Sequence, residues 1–451
     1  MKQKLGLKFS AKLLVLGVVS LMVAGGAFGA PVFNNGVLTY TVAAGDTETE
    51  ANTFASYGTV TQVIKLGAGE LVVSANNNAY AGTVEVQAGV LNCAQGYALG
   101  SKDATVYVRD GAQVKTSFTA SQGDSFIPSP VHITGCGPDG SGAILSKNGG
   151  MGDRCFAGGV VLDGPAMVGG TSRIGFSFTM NGYALTNAVA TEHIMRGISA
   201  TSPSHIVYSG GSRFVMSGNF NGSAANTLTI AKSGGKVCYW NSGVTSPWTL
   251  LVNEDGHIAS GAGSAKTVNR WNGPVVIAAG KSLTFSNYNN NPAAELSVGA
   301  TGTISGDGRV ISGNYAGLNV YLSGVNTYTG GTTLSSGTLW ALVNKSIPET
   351  GTITLTSGTL NFMVDSGCWE LEEVRKRIAN LSGTGGTACF YTSSGKSVTD
   401  DVGFTSPAAG VRIGHAGAGS LVTTGPIAGN RSVKCRVTSG GARPEASLWA
   451  P

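Results

Sequence analysis

Charge is scarce in this chain: only 12% of its 451 residues are Asp, Glu, Lys or Arg, against about 25% in an ordinary globular protein. Even the formal net charge of +5 is local, because four of the 29 Lys and Arg, namely Lys2, Lys4, Lys8 and Lys12, stand in the first turn-lengths of sequence with no acid beside them. Beyond them 25 Lys and Arg face 24 Asp and Glu, so no nucleic acid or other polyanion is expected as a partner. Histidine is rare too, and His132, His193, His205, His257 and His415 show none of the i, i+4 spacing of a zinc site. The seven cysteines contain no Cys-x-x-Cys pair, which removes metal knuckles and dithiol redox motifs. No metal and no cofactor is expected. Long apolar runs are also missing: the longest, Leu13 to Ala24, is too short for a comfortable membrane span. Set between four lysines and the small residues Gly25, Gly26, Ala27, Gly29 and Ala30, it reads as a Sec-type secretory signal over 1–30, cleaved near Pro31. The mature chain then has no transmembrane segment, and with no Cys before Cys93 it has no lipid-anchored start.

Glycine is what abounds, 69 residues, roughly double its usual share, and Ser, Thr and Asn carry the polarity. The glycines are periodic. Ser336-Gly-Thr-Leu339 recurs as Ser357-Gly-Thr-Leu360, 21 residues later, and Gly67, Gly89 and Gly111 follow at intervals of 22. A period near 21 predicts one coil of a solenoid. Between the glycines, polar and apolar residues alternate, as in Thr83 to Gln87, Ala104 to Val108, Asn226 to Ile230 and Thr352 to Thr356, the period-two pattern of strands. Stacked coil on coil, such strands align their inward Leu, Ile and Val into rows. About 420 mature residues at 21 per coil give roughly 20 rungs and a rod on the order of 90 Å long.

Two segments share one register without a gap. Tyr80 to Leu91 and Tyr328 to Leu339 both place Tyr, Gly, an aliphatic residue, Gly and Leu at matching positions, here Tyr80, Gly82, Gly89 and Leu91 beside Tyr328, Gly330, Gly337 and Leu339. Together with Asn326, Gly331, Ile304 to Gly308 and Leu322 to Gly324, the second segment resembles the autotransporter-associated β-strand repeat, also called the passenger-associated transport repeat. The copy from Leu66 to Leu91, with Asn78 in place of Asn326, is a looser version. The resemblance implies an all-β, right-handed parallel β-helix passenger at the cell surface or outside a Gram-negative-type bacterium, often an adhesin. A complete autotransporter also needs a barrel of at least eight strands of about 9 to 11 residues. The 62 residues after Cys389 are too few and too Gly-rich for one, so the expected alternatives are release, retention by an outer-membrane partner, or a fragment of a longer design.

One stretch departs from the β pattern. From Cys368 to Leu381, Leu371, Val374, Ile378 and Leu381 fall at helical spacing. Glu372 with Lys376 and Glu373 with Arg377 lie i to i+4, and Gly383 follows as a stop. The expected organisation is therefore a signal at 1–30, an N-terminal cap and first coils at 31–65, a solenoid body at 66–365, one short amphipathic helix within 366–383 packed on the solenoid, and a C-terminal β segment at 384–451.

Parallel β-helices also host glycan lyases and hydrolases, which need carboxylates converging in one groove. The nearest candidates are Asp153-Arg154, Asp255-Gly-His257, Asp400-Asp401 and Arg412-Ile-Gly-His415, each read more economically as a turn. The Gly-Lys-Ser triplets at Gly280 and Gly395 lack the leading glycine of a phosphate loop, and Gly383 to Ala388 follows a helix where a dinucleotide loop would open one. Cys136 with Cys155, and Cys368 with Cys389, are spaced so that each pair could face across neighbouring rungs within disulfide reach; the alternative is a ladder of small buried hydrophobes. The expectation is a non-catalytic, exported scaffold or adhesin-like repeat protein that meets glycans or cell-surface molecules through many weak contacts. A glycan-active enzyme is the alternative.

Overall fold

In Thr83–Val86 and Thr105–Val108 the valines are buried and the intervening residues are not, as a strand with one inward face requires. Val63, Val84, Val106 and Val131 are partners in successive parallel pairings, so one inward valine rests on the next. All four are 0% exposed, and each contributes about 1.5–3 kcal/mol by leaving water. Repetition of this unit makes a right-handed β-solenoid of about 15 turns, each of roughly 23 residues, a rod on the order of 70 Å. The turns are fewer and longer than a 21-residue period implies, because the corners carry inserts. The Asn77 amide reaches a carbonyl 21 residues on, Arg109 reaches Glu85 across 24, and Gln113 reaches Gly142 across 29. The computed structural model describes residues 30–118, 126–147, 155–241, 243–261, 268–287, 295–299, 302–313, 315–365, 368–405, 410–424 and 427–428. The expected signal, Asp153 and Arg154 lie outside them.

Three ladders line the rod. One starts at Val37–Thr41 and passes through Gln62–Leu66, Thr83–Val86 and Thr105–Val108 to the long strand Phe156–Gly170, then on through Ile174–Thr179 to Leu381–Gly383. A second runs from Thr47–Glu50 to Ile304–Ser305. The third is an eight-stranded parallel sheet made of Thr245–Ser246, Asn269–Trp271, Glu295–Val298, Asn319–Leu322, Thr338–Ala341, Thr359–Met363, Thr387–Tyr391 and Arg412–Ala416. Among the described residues the only antiparallel pairing is Val32–Asn34 on Val37–Thr41. It folds a hairpin over the first rung, where Glu50 is buried and accepts the hydroxyls of Tyr40 at 2.7 Å and Tyr57 at 2.6 Å.

Aromatic rings fill the middle of the rod. Phe156, Phe176 and Phe178 pack in sequence, and Phe214, Phe220 and Trp248 continue the column. His193 stands among them, its ring 4.7 Å from that of Phe176. Near the far end the helix spans Leu371–Ala379 and buries Val374 and Ile378. Lys376 pairs with Glu372 and Glu373, and Arg377 with Glu373 and Glu349. Among the described residues no helix is long and apolar enough to cross a membrane.

Candidate functional site

Among the described candidates, Asp400, Asp255 and His415 are each engaged by different partners. Asp400 is fully buried and binds Arg375, the Gly403 amide and the Thr423 hydroxyl, so it ties the helix to the last coils. Asp255 accepts both the amide and the hydroxyl of Ser282 at 2.8 Å; these bonds hold its carboxyl below the usual range. His415 is buried with Nε2 2.6 Å from the Thr392 hydroxyl, and Arg412 lies exposed three positions earlier. Among the described residues no three His, Cys, Asp or Glu side chains come together to hold a metal ion.

The repeat signature is a corner device. Asn326 is buried, accepts the Ile304 amide at 2.7 Å and donates to the Ser346 carbonyl at 2.6 Å, so it ties three successive coils. The Tyr328 hydroxyl lies 2.7 Å from the Thr332 hydroxyl, and Tyr80 donates to the Thr83 carbonyl at 2.7 Å. Leu91 and Leu339 are fully buried, and Gly89, Gly331 and Gly337 have positive φ. A Cβ at Gly82 would stand 2.2 Å from the Thr61 carbonyl oxygen, and one at Gly330 2.5 Å from Gly308 backbone, so these corners pack too closely for any side chain. In the first copy the asparagine that binds both neighbouring coils is Asn77, which accepts the Phe54 amide and donates to the Ala98 carbonyl. Asn78, aligned by the gapless register, is exposed; the chain has one more residue between Asn and Tyr here.

The third sheet presents a row that the sequence reading missed. Arg270, Ser297, Tyr321 and Trp340 are register partners on four successive strands, alternating with the inward residues of each strand; Arg270 is exposed, Tyr321 and Trp340 are half-buried, and Ser297 is buried between its larger neighbours. Tyr321 and Trp340 stack at 5.9 Å with 18° between planes, and Tyr391 meets Trp340 edge-on at 4.9 Å. Trp340 Nε1 donates to Asn319 at 3.1 Å and Tyr321 to Glu295 at 3.3 Å, which fixes both rings. Burial, with the Glu295 charge beside it, pushes the Tyr321 phenol up to about 12. Ser297 is the small member of the row. Over it opens a cavity of about 390 Å³ bordered by Arg270, Asn272, Gly299, Tyr321 and Ser323, within the range of about 300–1,000 Å³ for small-ligand sites. An alignment of the strands on their inward Val320 and Leu339 would have set Tyr321 beside Trp340.

A second outward cluster joins His132 to Asp163 at 3.0 Å, sets the His132 ring 4.9 Å from that of Tyr107 with 35° between planes, and places Arg109 over Tyr107 and against Glu85. Among the described residues no hydroxyl or thiol is aligned on the imidazole, so the cluster lacks the nucleophile that a relay needs.

The cysteines fall in unlike settings. Cys136 is exposed and Cys155 buried, while Cys368 is half-buried before the helix and Cys389 is buried in the third sheet. Cys136, Cys155 and Cys368 stand as thiols, Cys136 exposed and Cys155 buried. Burial raises the Cys93 and Cys155 thiols, with Cys93 adding to the rise at Cys155, and pushes Cys238 up to about 12. Alkylation of the native chain should label Cys136 first and leave Cys93, Cys155 and Cys238 until denaturant is added, because the thiolate is the reacting form. Failure of Cys136 to label, with recovery after reduction, would place it in a disulfide.

Comparison with curated proteins gives no match, and comparison with solved structures gives none. Residues 63–92 and 320–341, the second of which holds Tyr321 and Trp340, match the passenger-associated-transport-repeat family, and a β-solenoid that carries those repeats fits an autotransporter passenger domain.

Proposed function

We propose that this chain is an exported, surface-associated scaffold that holds a glycan on the third sheet without transforming it. The observation that carries the reading is the row Ser297, Tyr321, Trp340, in which fixed aromatic rings adjoin a cavity of mixed lining, with Arg270, Asn272 and Ser323 beside Val268 and Leu342. A sugar offers apolar C–H faces and a rim of hydroxyls, so it is suited by a ring face beside amides, hydroxyls and a guanidinium. The passenger-type repeats support export to the cell surface, and a rigid rod holds such a face away from its attachment. Weak single contacts then gain strength when many rods meet a polymeric ligand.

Screening the full chain against a glycan array, and titrating the hits, tests this. Substitution of both Tyr321→Ala and Trp340→Ala should weaken binding at least tenfold with the solenoid intact by circular dichroism. Unchanged affinity would remove the row from the function.

A further inference from the structure

The slot beside Tyr321 has a charge pattern more specific than glycan holding, and the inference drawn from it rests on the glycan-binding role proposed above. We infer that the slot between Arg270 and Tyr321 takes a sugar ring bearing a carboxylate, a uronic or sialic acid residue, with the carboxylate on the guanidinium and the ring against the phenol face.

The geometry comes first. The row reads large, small, large: Arg270, then Ser297, then Tyr321. Trp340 covers one face of Tyr321, so the other face looks across Ser297 toward Arg270. Two rungs separate them, about 9.6 Å of rod, which leaves roughly 4.8 Å on either side of a ring placed between. Flat rings in contact prefer about 3.5–4.0 Å; a puckered sugar with its hydrogens fills the wider gap.

The charge decides the class of sugar. Arg109, Arg173, Arg213, Arg375 and Arg377 each face a carboxylate. Arg270 is exposed and, among the described residues, meets none. Glu295 lies two positions before Ser297, but it does not line the cavity and it accepts the Tyr321 hydroxyl. The guanidinium is therefore the one charge bordering the cavity among the described residues, and its planar fork matches a carboxylate with two parallel hydrogen bonds. A neutral sugar would leave that fork without its best partner. Around it Asn272, Ser297 and Ser323 can take sugar hydroxyls. Gly299 keeps the rim open, since a Cβ there would stand 2.3 Å from Asn272 Oδ1.

The test uses the full chain and four probes by calorimetry: tri-galacturonic acid, its neutral methyl ester, sialyl-lactose and lactose. At least one acidic probe should bind tenfold or more tightly than its neutral counterpart, and which one does so separates a uronate source from a sialylated one. Arg270→Gln should abolish that preference and leave the neutral affinity in place. Ser297→Tyr, which continues the aromatic stack, should block both, and Gly299→Ala, which displaces only the end of the Asn272 side chain, should weaken both. Melting temperatures confirm that each variant folds. Equal binding of acid and neutral probes, or an acid preference that survives in Arg270→Gln, overturns the carboxylate assignment while the glycan-holding role stands. No binding of any probe, here and on the array, overturns both.

Discussion

As pH falls from 6.5 to 4.5 the solenoid is expected to lose about 2–3 kcal/mol of stability through His193 alone, a slope of ~1.4 kcal/mol per pH unit. His193 is fully buried, neither of its ring nitrogens has a hydrogen-bond partner, and Phe176, Phe178 and Phe214 surround it. Burial alone lowers its pKa to about 3. An unfolded histidine takes up its proton near pH 6.5. Above that value both states are neutral and pH has no purchase. Below it the unfolded chain binds a proton that the folded core refuses, so stability declines until the folded pKa near 3 is reached. Burial lowers His257 and His415 as well, which adds to the decline with the same sign. The depressed carboxyls Glu70, Asp139, Asp255 and Glu373 contribute stability that is lost only below about pH 4.5, as their unfolded counterparts become protonated. The interval between 6.5 and 4.5 therefore belongs to the histidines. Urea melts across it should show His193→Leu with a slope shallower by one proton. A slope identical to that of the unaltered chain would place His193 in water.

Asn326→Leu should cost about 2–6 kcal/mol, because it strands two buried backbone groups, the Ile304 amide and the Ser346 carbonyl, at about 1–3 kcal/mol each. A solenoid holds together through neighbour contacts, so the damage should open the coils around this corner before the rest. Limited proteolysis should then cut first near residues 304–346. Asn78→Leu is the control, since Asn78 is exposed and surface changes usually stay within ±0.5 kcal/mol. Equal effects of the two substitutions would mean that Asn326 does not carry the corner.

The strands were legible because the alternation in Thr83–Val86 is a local property, set by which residues face the core. Coil length was not, because it depends on corner inserts such as the one that separates Gln113 from Gly142, and inserts leave glycine spacing without a fixed period. Asn77 shows the same difficulty on a small scale: sequence register favoured Asn78, and only the bonds to Phe54 and Ala98 show which asparagine turns inward. The binding face was harder still. Ser297 carries no signal by itself; its meaning comes from Arg270 on one neighbouring strand and Tyr321 on the other. His132 and Asp163, 31 positions apart, pair for the same reason.

Parallel stacking also sets how the molecule would answer a pull. The hydrogen bonds between coils run along the rod, so tension applied at its two ends loads them one rung after another, and the chain peels instead of shearing. Each released turn of roughly 23 residues lets out on the order of 75 Å of extended chain, more than the length of the whole folded rod. A few opened turns at one end would thus absorb a large displacement while the remaining turns, with the third sheet among them, stay wound.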